Sequence, residues 1–104
     1  MKNGKWQDII SLDELEKSDV TNVKFGTKDL AVYDAEEGIF VSLSRCTHGA
    51  ANLCDGYFDG THIECPLHQG LFDVRTGEAK AAPARVRLKM IPCRVLSGIV
   101  QIYL

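Results

Sequence analysis

Two short segments carry side chains able to hold a metal: Cys46-Thr47-His48 and Cys65-Pro66-Leu67-His68. Each supplies one thiol and one imidazole, with sixteen residues between them. Thiolates suit zinc, copper(I) and iron–sulfur clusters, and imidazole suits zinc, copper, iron and nickel. A two-iron cluster accepts such a mixed set by taking one Cys from each loop on one iron and one His from each loop on the other. Zinc accepts the same four ligands in a tetrahedral site. Ligand order separates the two. Zinc fingers commonly place two cysteines in one half and two histidines in the other around a ββα unit, whereas each half here is mixed and no helix follows. The spacing therefore favours a [2Fe-2S] cluster on Cys46, His48, Cys65 and His68, with a zinc-stabilised, non-redox binding module as the alternative. Gly49 and Gly70 fit either as turn glycines or as positions where backbone without a Cβ approaches a cluster closely.

Such loops need a frame. Elsewhere the apolar runs are short, rich in Val, Ile, Leu, Phe and Tyr, and broken by Gly, Asp or Asn, which is the pattern of an all-β domain. Strands are expected over 6–10, 20–25, 30–34, 39–43, 62–64, 71–74, 89–96 and 99–104, with turns at Glu37-Gly38, Asp59-Gly60 and Ser97-Gly98. The last two strands read as a tight hairpin. Ser11 followed by Glu14 resembles a capping box, and a brief helical turn there is the only helix expected. Trp6, Tyr33, Phe40 and Tyr103 are expected core anchors. Residues 45–83 differ: they are rich in Gly, Cys, His and Asp, and their apolar runs look too short for a sheet with its own core. A metal or a cross-link is expected to fix them.

A length of 104 residues fits a single domain. It leaves no room for a second domain holding a mononuclear iron on two histidines and a carboxylate, for which only His62 would remain. His62 is expected at the surface without a role. No apolar run approaches the ~20 residues a membrane span needs, and Lys2 and Lys5 are followed by Gln7-Asp8 where a signal peptide would continue apolar. A cytoplasmic protein is expected. In that setting Cys46, Cys54, Cys65 and Cys93 are reduced thiols or ligands, not disulfides. Cys54 and Cys93 read as small apolar fillers, with Cys93, Ile91 and Val95 sharing the core face of one strand. Asp55, Asp59, Glu64 and Asp73 flank the loops without any accompanying nucleophile, so turn chemistry accounts for Asp55-Gly56 and Asp59-Gly60 better than catalysis does.

The net charge is −2, but it is unevenly spread. No acidic residue follows Glu78, while Lys80, Arg85, Arg87, Lys89 and Arg94 give residues 79–104 a charge of +5 against −7 for the rest. Arg85, Arg87 and Lys89 alternate, so on an extended strand they share one face, either a solvated surface or a docking stripe for an acidic partner. A nucleic-acid role would want net positive charge and interleaved aromatics, and neither is present.

Cys-Thr-His-Gly at 46–49 and Cys-Pro-Leu-His-Gln-Gly at 65–70, with Asp55-Gly56-Tyr57 between them and Phe72-Asp73-Val74, Thr76-Gly77 and Ala82-Pro83 after, resemble the Rieske-type ferredoxins. The likeness is greatest to the ferredoxin component of naphthalene-dioxygenase-type aromatic-ring hydroxylating systems. It implies a Rieske fold: antiparallel β-sheets forming a base domain (1–44 and 84–104) with a cluster-binding subdomain at about 45–83, all one domain over 1–104. It also implies one Rieske-type [2Fe-2S] cluster and a one-electron carrier that performs no catalysis. The carrier would be a monomer meeting a flavin-dependent ferredoxin reductase and a terminal Rieske oxygenase through small, overlapping, salt-sensitive surfaces. A Rieske-like small subunit of a larger reductase, such as nitrite reductase, is the alternative of similar length. The extra loop cysteines of respiratory Rieske subunits are replaced by Ala51 and Leu67, and the positions of their Ser and Tyr hydroxyl donors by Gly70 and Phe72. Fewer hydrogen bonds to the cluster sulfurs imply a potential at the low end of the Rieske range, about −150 mV.

Overall fold

A computed structural model describes residues 4–47, 50–67 and 69–104. Eleven strands are described: β1 (Trp6–Ser11), β2 (Val20–Phe25), β3 (Lys28–Ala35), β4 (Gly38–Leu43), β5 (Tyr57–Phe58), β6 (His62–Glu64), β7 (Leu71–Asp73), β8 (Ala79–Ala81), β9 (Met90–Ile91), β10 (Cys93–Leu96) and β11 (Ile99–Tyr103). They form three antiparallel sheets, in the orders β1-β11-β10, β2-β3-β4-β9 and β5-β6-β7-β8. The fold is all-β, as the short apolar runs predict. No helix among the described residues is long and apolar enough to cross a membrane.

The middle sheet is held through β3. Successive side chains of a strand point to opposite faces, and in β3 both faces are covered. Leu30 and Val32 pack with Val23, Val41, Ile91, Val100 and Ile102. Ala31 and Tyr33 pack on the other side with Leu53, Phe58, Ile63, Phe72 and Val74. This explains why β3 reads as the unbroken apolar run Leu-Ala-Val-Tyr, without polar alternation. The one polar tip it buries is satisfied: the Tyr33 hydroxyl and Ser42 Oγ lie 2.9 Å apart in a hydrogen bond.

The third sheet is the main departure from expectation. Residues 45–83 were expected to lack a sheet with its own core, yet they form β5 to β8 and bury Leu53, Ile63, Phe72 and Val74 completely. The physical reason is that their core is shared. The apolar face of this small sheet closes on the Ala31–Tyr33 face of β3 and so needs no second layer of its own. β6 and β7 lie at the expected 62–64 and 71–74, whereas β5, of two residues, and β8, Ala79-Lys80-Ala81, have no apolar run of strand length and escape sequence reading.

Several local expectations hold and others shift. Ser97 (φ 51°) and Gly98 (φ 77°) are both left-handed and make the tight β10–β11 turn. The expected helical turn is present as a 3-10 turn over Leu12–Glu14, but the Ser11 side chain makes no capping bond. A second 3-10 turn, Leu53–Asp55, was not expected; the Asn52 side chain caps it by accepting from the Cys54 N–H at 2.8 Å. The strand expected over 89–96 is split at Pro92 into β9 and β10, which join different sheets. The split turns Val95 outward, so Ile91, Cys93 and Val95 do not share a core face: Ile91 is buried, Cys93 half-buried and Val95 exposed. Tyr103 is likewise exposed instead of anchoring a core, and packs edge-on to half-buried Trp6, over which Arg94 lies 4.1 Å from the ring centroid.

The link from β7 to β8 is braced by charge. Arg75 donates to both oxygens of buried Asp73, from Nε at 3.1 Å and Nη2 at 2.8 Å, and reaches Glu37 with Nη1 at 3.0 Å. Those bonds from Arg75 hold the Asp73 carboxyl down at about 2. A closer constraint lies at Gly56, where a Cβ would overlap the Glu64 carbonyl oxygen and stand 3.2 Å from that of Leu53. Gly56→Ala is therefore expected to force β5 from β6 at a cost of about 1–3 kcal/mol, measurable as a lowered denaturant midpoint. A midpoint equal to that of the native chain would contradict the close approach.

Candidate metal centre

The two loops that carry the ligand motifs are closed in the same way. The Cys46 N–H donates to the Ala51 carbonyl at 2.9 Å, and the Cys65 N–H donates to the Gly70 carbonyl at 2.7 Å, so each loop is closed by a bond from its cysteine to the residue five further on. The first loop is clamped further by the Arg45–Asn52 bridge and by the Leu53 N–H on the Ser44 carbonyl at 2.7 Å. The second joins β6 to β7, the central pair of the third sheet, and turns through Gln69 in the left-handed region (φ 61°). Both closures point the cysteines inward: Cys46 is 2% exposed and Cys65 fully buried, within the same core cluster as Phe58, Ile63 and Phe72. The residues beside them, Thr47, Pro66 and Leu67, are exposed.

The thiols of Cys46 and Cys65 adjoin, and burial, followed by that contact, pushes the Cys65 thiol up to about 11. The Leu67 N–H also donates to Cys65 Sγ, at 3.4 Å. Two soft donors side by side in apolar surroundings are costly to ionise by themselves, and a cationic iron centre is what offsets that cost. The donor set therefore fits an iron–sulfur cluster: two sulfurs converging from different loops, screened from water, one of them already receiving a backbone N–H. His48 and His68, the other two expected ligands, lie outside the described residues, as does Gly49. Among the described residues no group of three or more His, Cys, Asp or Glu side chains converges on a metal position. Gly70 and Phe72, at the positions of the missing hydroxyl donors, are both buried.

A third segment, residues 82–89, runs beside the first loop, starting at the cis Ala82-Pro83 bond. Ala84 and Leu88 are buried, while Arg85, Val86, Arg87 and Lys89 are exposed. It is not a strand, so the expected stripe of Arg85, Arg87 and Lys89 on one strand face is corrected to an irregular strap. Its hydrogen bonds go elsewhere: the Thr47 hydroxyl donates to the Val86 carbonyl at 2.6 Å, and the Leu88 N–H donates to the Gly77 carbonyl at 2.7 Å. The part played by Thr47, next to a ligand, was missed from sequence; its place inside the Cys-Thr-His motif was the available signal.

The remaining chemically capable residues lie apart from this pair. None of the four cysteines forms a disulfide. Cys54 is half-buried against the core, and burial, followed by Asp55 and Asp29, pushes its thiol up to about 12, which suits an apolar filler. Cys93 is half-buried, its Sγ on the Ile39 carbonyl at 3.3 Å, and burial raises its thiol as well. His62, expected at the surface, is instead half-buried; its Nδ1 lies 2.8 Å from the Thr61 hydroxyl and 3.7 Å from Asp59.

Comparison with known proteins agrees with this geometry. The family described as the Rieske [2Fe-2S] domain matches residues 5–92. The ferredoxin component of the naphthalene 1,2-dioxygenase system of Pseudomonas aeruginosa is 45% identical over 91 residues, 88% of each chain. Among solved structures, a ferredoxin of Sphingomonas yanoikuyae B1 superposes with a TM-score of 0.88 at 38% identity, covering 94% of this chain and 97% of that one. A chain from the complex of reduced oxygenase and oxidized ferredoxin in carbazole 1,9a-dioxygenase superposes with a TM-score of 0.85 at 33% identity, covering 93% and 91%.

Because Thr47 ties the strap to the first loop, Thr47→Val is expected to cost about 1 kcal/mol and to hasten bleaching of the protein's visible absorbance, with Thr47→Ser restoring both. Equal bleaching rates for all three chains would show that the bond does not steady the loop.

Proposed function

From membership of the Rieske [2Fe-2S] domain family, to which this chain belongs, we propose that it is the one-electron link between an NADH-dependent flavin reductase and a terminal aromatic-ring hydroxylating oxygenase. In this reading Cys46 and Cys65 hold one iron of the cluster and His48 and His68 the other, the ligation of Rieske centres. The observation that carries it is the meeting of two buried thiols from two loops whose neighbouring residues are open to solvent. The relative's name, a ferredoxin component of a dioxygenase system, and the carbazole complex, which pairs a ferredoxin with its oxygenase, support the assignment of partners.

When bound, the cluster takes up and releases one electron, and no covalent bond is made or broken. The work of the chain is positional. The apolar packing around Cys46 and Cys65 keeps water from the thiolates, which strengthens every electrostatic interaction there. The Leu67 N–H stabilises charge on the Cys65 sulfur. The exposed Pro66, Leu67 and Val86 let a partner approach the loop tips closely and without deep insertion. The base is assigned to 1–44 and 84–104 and the cluster-binding part to about 45–83, a division supported by the third sheet lying wholly within the latter.

Reconstitution tests the assignment: NADH-dependent turnover by reductase and oxygenase should require this protein, and unchanged turnover without it would exclude the role. The electronic part has its own check. With Gly70 and Phe72 lacking hydroxyls, the midpoint potential is expected near −150 mV, the low end for Rieske centres. Gly70→Ser with Phe72→Tyr should raise it by about 40 mV for each hydrogen bond of about 1 kcal/mol gained. A native potential well above zero would contradict the account.

A further inference from the structure

The two ligand loops are hung differently. The Cys65 loop joins β6 to β7, so both its stems lie inside the third sheet. The Cys46 loop enters from β4 of the middle sheet and leaves towards β5 of the third, and its neck is the Arg45–Asn52 bridge. Where Cys46 stands relative to Cys65 therefore depends on how that neck is fixed. We propose that Asn52 is a positioning residue for the cluster: clasped by Asn22, it ties the neck of the Cys46 loop to strand β2 and sets the place of that thiolate beside the Cys65 loop. The inference rests on the ligand reading above and adds to it residues that hold no metal themselves.

The clasp is a chain of side chains with one direction. Asn52 Oδ1 accepts from the Cys54 N–H at 2.8 Å, and Asn52 Nδ2 donates to Asn22 Oδ1 at 3.1 Å. Asn22 Nδ2 then donates to Asp29 Oδ1 at 3.3 Å, where Lys24 Nζ also donates at 3.3 Å. The two ends fix the polarity. A backbone N–H can only donate and an ionised carboxylate can only accept, so the Asn52 oxygen must face Cys54 and the Asn22 nitrogen must face Asp29. What remains between the two amides is a matched donor and acceptor. The bonds from Asn22, then Lys24, hold the Asp29 carboxyl below the usual carboxylate range, so the chain ends on a charge at neutral pH. Both amides are already ordered by their outer bonds, and closing the bond between them costs little further entropy.

The chain lies on the face of β2 that turns towards the ligands. Val20, Asn22 and Lys24 alternate along β2, and Val20 packs in the core cluster that holds Cys46 and Cys65. A backbone path joins the same two ends: the Ser44 N–H donates to the Asp29 carbonyl at 3.0 Å, and the Leu53 N–H to the Ser44 carbonyl at 2.7 Å. Thr47 ties the same loop to a different part of the chain, the strap, so losing the clasp frees the neck while that second tie stays in place. A loop free to shift at its neck allows a spread of cluster geometries. A fixed neck allows one, which is the preorganisation a redox site needs from its supporting residues.

Asn22→Ala, Asn52→Ser and the two together are compared with the native chain, all as cluster-loaded protein. The readouts are the linewidth of the reduced-state electron paramagnetic resonance signal and the rate at which visible absorbance is lost in mild denaturant. Asn22→Ala leaves every residue of the ligand loops unchanged. Asn52→Ser keeps an oxygen for the Cys54 N–H and is too short to reach β2. Gln101→Ala is the control, since it cuts a side-chain chain of the same kind, from Arg94 through Gln101 to Asp8, on the first sheet. Each single variant is expected to broaden the signal and to bleach about fivefold faster, the change in opening that one hydrogen bond of ordinary strength controls. The two together should do no more than the larger single effect, because both cut one bond. Gln101→Ala should match the native chain in both readouts. A native-like linewidth or bleaching rate in either single variant, multiplied effects in the double variant, or equal effects from Gln101→Ala would overturn the proposal. A native protein without an iron–sulfur cluster would instead refute the ligand reading, and the proposal falls with it.

Discussion

The contact between the thiols of Cys46 and Cys65 sets the terms for the rest of the molecule. Two sulfurs must lie together, screened from water, at the ends of turns whose outer residues stay exposed to partners. A polar loop cannot meet that demand by itself. The chain meets it by placing one cysteine directly after the third sheet's central strand β6 and the other directly after the Arg45–Asn52 bridge, then packing both into the core cluster that holds Ile63 and Phe72.

The two-faced strand β3 follows from this arrangement. One face completes the core of the sheets built from the two ends of the chain, and the other roofs the small sheet that presents the ligand loops. A disturbance at Tyr33 or Ala31 therefore bears on the cysteines although neither residue is a ligand. Thr47 extends the same logic outward by fixing the basic strap to the first loop through one hydrogen bond.

What could be read from the sequence divides along physical lines. The ligand motifs were legible because metal coordination demands particular side chains at particular spacing, and no core position substitutes for them. The longer strands were legible because four or more residues are enough to show apolar patterning, and the Ser97-Gly98 turn because two left-handed residues favour such a pair. The third sheet was legible only in its central strands, β6 and β7 at the expected 62–64 and 71–74; its edges β5 and β8 were not, and neither was its closure on β3, whose residues lie far along the chain. The Arg85–Lys89 alternation would put three cations on one face only of an extended strand, and hydrogen bonds to Thr47 and Gly77 impose an irregular strap instead. Val95 and Tyr103 were misplaced because Pro92 divides the strand expected over 89–96 and an edge sheet leaves one face to solvent.

The central claim is that the two buried cysteines share a cluster with two histidines, and it is tested most directly by electron paramagnetic resonance of the reduced protein purified from iron-replete cells. The account predicts a rhombic signal from a [2Fe-2S] cluster coupled to two nitrogen ligands. A cluster signal without nitrogen coupling, or a silent and colourless sample loaded with zinc, would contradict it.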